Sequence, residues 1–230
     1  LLSGQIVVDR IAIDGLKASL TRRKDGSSNF DDLLGGTNAK SDKHDTAAPA
    51  PKLDIAGIEI SNTALEWRDE AKNQRFAIKG FQFKTGRLTN AALSKFELAM
   101  NLAGDHPKLD LQISASGNLA IDPGASYYQL AGLAASVKGN AAGVALDKLE
   151  IQGAVDFKPD AVGIDALVVK FSGKHSADGI YASLDIPKVR FANETVHAEK
   201  ISLAVRLTQA NGNLNATLTI PGMEGSGRAF

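Results

Sequence analysis

Apolar residues fall at every second position through most of this chain. A two-residue period fits only extended backbone, in which successive side chains leave opposite faces. Phe96, Leu98, Met100 and Leu102 alternate without a break, and Leu109, Leu111 and Ile113 do so with Asp110, Gln112 and Ser114 between them. Ile201, Leu203, Val205 and Leu207 repeat the pattern, as do Leu214, Ala216, Leu218 and Ile220. Turn residues punctuate these runs at Asp14-Gly15, Asp25-Gly26, Asp122-Pro123-Gly124, Gly139-Asn140, Asp178-Gly179 and Asn211-Gly212. Antiparallel hairpins are expected, because parallel neighbours need long, usually helical, crossovers and no 3.6-residue apolar stripe lies between the runs. The glycine-free window 188–211 is long enough for a helix, but its second half alternates strictly and reads as strand. At Gly80-Phe81 the alternation slips phase, which marks a bulge.

A sheet with one apolar face must cover it with a second sheet, a helix layer or a foreign apolar ligand. The sheet either folds on itself as a barrel or sandwich or curls into an open trough, and long strands favour the latter. The fold class expected is all-β with very little helix, an antiparallel meander of long strands curled into an open groove or taco-like β-sheet, a fragment of a longer repeating β-groove array. Run 108–121 alone would extend roughly 45 Å. Residues 1–34 form a strand pair and a short helical turn at 29–34, capped by Ser28 or Asn29. Residues 35–52, GGTNAKSDKHDTAAPAPK, make a polar flexible loop. Residues 53–230 continue the groove in one architectural unit with 1–34. Both ends fall inside the pattern, so the sequence reads as a piece of a longer protein.

Composition removes whole classes of chemistry. With 26 basic and 26 acidic residues there is no electrostatic footprint for nucleic acid. The absence of cysteine removes disulfides, thiolate metal sites and Cys nucleophiles. His44, His106, His175 and His197 lie far apart and in no metal-binding spacing, and no nucleophile elbow, phosphate loop or dinucleotide fingerprint occurs. Asp31-Asp32 would point apart on a helix and suits capping better than acid–base work. Asn193-Glu194-Thr195 and Asn215-Ala216-Thr217 match the glycosylation pattern as easily by chance. The longest near-apolar run, 127–137, is too short to span a membrane as a helix. Trp67 reads as packing at the sheet rim, with Arg68 paired to Asp69 or Glu70 across the following turn. No enzyme, cofactor or metal is expected.

Two blocks carry a family resemblance. Gly4-Gln5-Ile6-Val7-Val8-Asp9-Arg10-Ile11-Ala12-Ile13-Asp14-Gly15-Leu16, followed by Gly26-Ser27-Ser28-Asn29-Phe30-Asp31-Asp32-Leu33, resembles the opening of the AsmA family of bacterial envelope proteins. Ile58-Glu59-Ile60-Ser61-Asn62, then Trp67-Arg68-Asp69 and Thr85-Gly86, is similar to a second stretch of that family. The resemblance implies a Gram-negative periplasmic protein held in the inner membrane by an N-terminal anchor outside this sequence. It also implies kinship with bridge-like lipid-transfer proteins, and a role in outer-membrane biogenesis.

Two functions follow. In one, the chain is a non-enzymatic conduit segment whose groove shields phospholipid or other acyl chains between the two membranes. Its lining is then Phe96, Leu98, Met100, Leu102, Leu109, Leu111, Ile113, Ile201, Leu203, Val205, Leu207, Leu214, Leu218 and Ile220. In the other, it is an envelope scaffold that influences outer-membrane protein assembly, with its apolar faces packed on one another and no lipid cavity. Partners are lipid and envelope proteins, with no nucleic acid.

Overall fold

The computed structural model describes residues 5–31 and 52–226, and all of its regular structure is strand. The strands are β1 (Gln5–Val8), β2 (Ile11–Asp14), β3 (Lys17–Arg22), β4 (Lys52–Ile55), β5 (Ile58–Asp69), β6 (Gln74–Thr85), β7 (Leu88–Thr89), β8 (Ser94–Asp105) and β9 (Leu109–Asp122). They continue as β10 (Tyr127–Ala141), β11 (Val144–Lys158), β12 (Ala161–His175), β13 (Asp178–Ala192), β14 (Thr195–Ala198), β15 (Ile201–Gln209), β16 (Gly212–Ile220) and β17 (Met223–Ser226). Fourteen form one open sheet along the path β16-β15-β13-β12-β11-β10-β9-β8-β6-β5-β2, and β1, β4 and β7 form a small second sheet. Neither closes into a barrel.

The separation between the two sheets is nominal. Gln5 lies opposite Lys52, Ile11 opposite Ile58 and Lys17 opposite Ala64, one unbroken offset through β1, β2 and β3. These strands are therefore a single interrupted edge running parallel to β4 and β5, not a hairpin. The hairpin expected from Asp14-Gly15 is corrected accordingly: Gly15, at φ 69, kinks the edge and the chain continues. The long connection that parallel pairing demands is supplied by residues 23–51.

From β10 onward the meander is regular. Strands begin at Tyr127, Val144, Ala161 and Asp178, and two interrupted strands follow from Thr195 and Gly212, so that a new one starts every seventeenth residue. Each consists of fifteen residues and a two-residue turn. The turns fall at Ala142-Gly143, Pro159-Asp160, Ser176-Ala177, Asn193-Glu194 and Ala210-Asn211. Gly139-Asn140 and Asp178-Gly179, read as turns from sequence, instead lie inside β10 and β13. Ala142 and Gly143, both at positive φ, make the reversal one step later.

Bulges bend these strands at a common height. Register slips beside Gly132 in β10, at φ 58, and between Gln152 and Ala154 of β11 against Val168 and Asp165 of β12. The same line passes Pro187, the break at Glu199-Lys200 and the break at Pro221-Gly222. A second line of Gly15, Asn62 and Gly80 serves the N-terminal strands, including the bulge expected at Gly80-Phe81. Because a bulge sharpens local twist and bend, aligned bulges fold the sheet along a line that crosses the strands. The resulting trough runs in the direction in which strands are stacked. Eleven strands abreast at about 4.8 Å spacing give it roughly 48 Å of length.

Only the first part of the expected helical turn at 29–34 falls within the described residues. Residues 29–31 form a turn and Ser28 a lone bridge, while 32–34 lie outside the described residues. Ser28 makes the capping contact, its amide and hydroxyl donating to the Asp31 carboxylate, while Asn29 turns toward β3. Its side chain accepts from the Thr21 amide at 2.7 Å and donates to the Ser19 carbonyl at 2.8 Å, standing in for a neighbouring strand on the outer edge of β3. The flexible loop expected at 35–52 falls outside the described residues except for Lys52, which opens β4.

Candidate functional site: a continuous apolar face

Residues directly opposite on paired strands project from the same face. One such row runs Ile60, Phe83, Leu98, Ala115, Ala135, Ile151, Val169, Leu184, Leu203, Leu218. A second runs Met100, Ile113, Val137, Leu149, Phe171, Ala182, Val205, Ala216, and a third joins Leu65, Ile78, Leu102, Leu111, Leu146, Ile180, Leu207 and Leu214. Phe96 faces Gly117, Leu109 faces Gly104, and Ile201 faces Ile220 on the same side. All fourteen lining residues named from sequence therefore share one face. The opposite face is polar, as in the row Ser114, Ser136, Glu150, Lys170, Ser183.

Nothing in the described chain blankets the apolar face. A domain of this size normally hides about 70% of its unfolded surface around a filled core. Here the buried apolar side chains are Ala77, Leu88, Phe96, Ala120 and Ala198, and no large one is fully enclosed. Most lining residues are half-buried, and at the C-terminal edge Leu214 and Leu218 are each 57% exposed.

Burial concentrates at the N-terminal end instead. Thr85, Leu88, Ser94 and Phe96 are buried where β7 and the following loop swing past the end of β8 to reach β9. Asn90 holds that closure: its side chain accepts from the Leu53 amide at 2.6 Å and donates to Asp122 at 3.0 Å. The buried carboxylate Asp69 accepts from the Lys72 amide and stands 3.9 Å from Arg22. Arg22, and not Arg68, is thus the ion-pair partner at this rim, while Arg75 pairs with Glu66. Trp67 packs 5.9 Å from Phe30.

Displaced titrations sit away from the apolar rows. Glu150, on the polar face, is held below the usual carboxylate range by its hydrogen bond from Lys148. Asp54 is lowered by hydrogen bonds from Arg87, and Asp14 by those from Ser61 and Asn62. No cluster of metal-ligating side chains occurs among the described residues.

One feature of the lining had no place among the residues named from sequence. Beyond the crease, Tyr128 faces Phe157, their rings 6.3 Å apart, and Phe191 faces Val162 two strands further along the same row. These three aromatics are 45%, 45% and 46% exposed. Leu119, Ile121, Leu130 and Val155 complete an apolar hollow of about 290 Å³ with Tyr128 and Phe157. The bulge hides this row from simple alternation, but Phe157 and Phe191 stand two strand-and-turn units apart, a spacing that would have aligned them. A larger hollow, about 840 Å³, lies elsewhere, at the polar turns around Arg68, Asn73 and His106.

The described strands thus make an open, uncapped β-sheet with one continuous apolar face. The chain matches the AsmA family over residues 1–223 and belongs to that family, which places it among bacterial envelope proteins. The family is not known for enzymatic activity. No curated protein and no solved structure shows significant similarity to the chain.

Proposed function

We propose that this chain is a non-enzymatic lipid-conduit segment that shields phospholipid acyl chains as they cross the periplasm between inner and outer membranes. In this reading the whole protein is anchored in the inner membrane by a segment outside this sequence. The observation that carries the proposal is the unroofed apolar face spanning the stacked strands. Each Å² of acyl surface laid against it is kept from water at roughly 25 cal/mol. Charged head groups stay at the solvent edge. A scaffold packed on itself would bury the same side chains, so the half-exposed rows weigh against that alternative.

Native mass spectrometry of gently purified protein, with thin-layer chromatography of the extract, tests the proposal. Bound phospholipid is expected, and lipid-free protein would return the chain to the scaffold reading. Leu98→Arg or Met100→Glu should abolish lipid capture while the circular dichroism spectrum keeps its strand signal. In a closed core the same unpaired charge would unfold the chain.

A further inference from the structure

Strand β16 pairs with β15 along one edge, and among the described residues no strand pairs with its other edge. The two-residue turn makes Gln209 and Gly212 a hydrogen-bonded pair, and bonded pairs alternate along an antiparallel ladder. Gly212, Leu214, Ala216, Leu218 and Ile220 therefore turn their amides and carbonyls toward β15, while those of Asn213, Asn215, Thr217 and Thr219 point away from it. The Ala210-Asn211 turn bounds this free stretch at one end, and Pro221, which has no amide to offer, bounds it at the other. Among the described strands of nine residues or more, β16 alone has no charged side chain, at the position where a lysine would ordinarily repel a neighbour.

We infer that this edge receives a second copy of the chain, β16 against β16 in antiparallel pairing, with a twofold axis at Ala216, the midpoint of the strand. In that register Asn213 lies opposite Thr219 of the partner subunit and Asn215 opposite Thr217 of the partner subunit, so every outward amide and carbonyl meets a partner. Leu214 meets Leu218 of the partner subunit on the apolar side. Ala216 faces its own copy as a non-bonded pair, where Cα atoms approach to about 4.5 Å, and its methyl is the smallest side chain between the two leucines. No like charges oppose each other along the seam. A foreign strand would need only the backbone groups; the coincidence of midpoint, axis and small side chain singles out a copy of this chain. Head-to-tail pairing with the other end of the sheet is opposed by the interruptions and charges of β1 to β3 and by Asn29, so assembly closes at two copies. The axis crosses the sheet at right angles, so both apolar faces turn the same way and one face runs across the seam. Nothing in the inference depends on the conduit reading.

A seam of nine residues from each copy is smaller than a standard interface, so the dimer should form reversibly as concentration rises. Sedimentation velocity should show monomer passing to dimer and nothing larger. Thr217→Pro removes an amide that points away from β15, and should cut the dimer fraction about tenfold with an unchanged circular dichroism spectrum. Thr217→Lys should act in the same direction through charge alone, with the backbone untouched. Because the chain has no cysteine, single cysteines can read the register. Under mild oxidation Ala216→Cys should give a disulfide-linked dimer, whereas Leu214→Cys and Leu218→Cys should give none alone and should link when mixed. Equal linking in all three, assembly beyond two copies, or a dimer that both Thr217 variants leave undiminished would overturn the seam. Monomer at every concentration, with no link through Ala216→Cys, would overturn the second copy as occupant and leave the edge to a strand of another protein.

Discussion

Along the N-terminal edge, β1 to β3 are interrupted twice, carry Arg10, Asp14, Lys17 and Arg22, and have Asn29 bonded across the backbone of β3. The opposite edge strand, β16, holds no charged residue, pairs with β15 in unbroken register and is exposed at every position. An unpaired strand invites pairing by other chains unless kinks, charges or a covering group oppose it. The N-terminal edge has all three protections, and β16 has none along its length. Burial divides in the same way, with Leu88 and Phe96 enclosed near one end and Leu214 and Leu218 open at the other. The contrast teaches that one fold here contains a sealed end, held by side-chain packing, and a wall held chiefly by its backbone ladder.

Substitutions can break that division. Phe96→Ala should cost about 3–5 kcal/mol in urea denaturation, since the ring is buried beside Gly117. A cost near that of a surface change would mean the N-terminal end is as open as the rest. Gly139→Ala probes the ladder of the regular wall. Its Cβ would fall 2.0 Å from the Asp110 carbonyl at a φ of 129, so a loss of about 2–4 kcal/mol is expected although no core is touched. Asn29→Ala should remove about 1 kcal/mol and raise concentration-dependent association, measured by light scattering, because it uncovers the β3 edge. Leu218→Ala should stay within about 0.5 kcal/mol, the mark of a side chain left mostly open to solvent.

Acid provides the mildest test. Asp14, Asp25, Asp31 and Asp54 all have lowered carboxyl pKa values, from hydrogen bonds donated by Ser61, Ser27, Ser28 and Arg87 respectively, and all lie in the N-terminal quarter of the sequence. A folded-state pKa below the unfolded one gives stability that is present above the unfolded value and lost as pH falls through the folded one. Proteolysis by pepsin as pH drops below about 4 should therefore cut near β2 to β4 before it cuts β11 to β13. Cleavage in the reverse order would show that these exposed carboxylates add nothing.

Period-two alternation made the strands legible, because a register that buries one face leaves its mark on every second residue. The common face of Leu98, Ile113, Leu203 and Leu218 could be read for the same reason. What escaped was anything decided by a non-local partner. Gly15 and Gly139 carry turn chemistry, yet neither reverses the chain: Gly15 only kinks an edge whose parallel pairing resumes beyond it, and Gly139 stays within the ladder of β10. Asn29 has a capping residue's side chain, but its partners lie eight and ten residues back on an edge strand. The row containing Tyr128 and Phe157 was hidden by the bulge at Gly132, which shifts parity without altering composition.

The even spacing of the turns has an architectural corollary. Because each hairpin from β10 onward repeats one measure of chain, inserting or deleting a pair of strands would change the reach of the trough by about 9.6 Å and leave its cross-section untouched. Such a design is a ruler. The length of the apolar face is set by counting hairpins, so duplicating or deleting them alone could lengthen or shorten it with no residue of the existing wall redesigned.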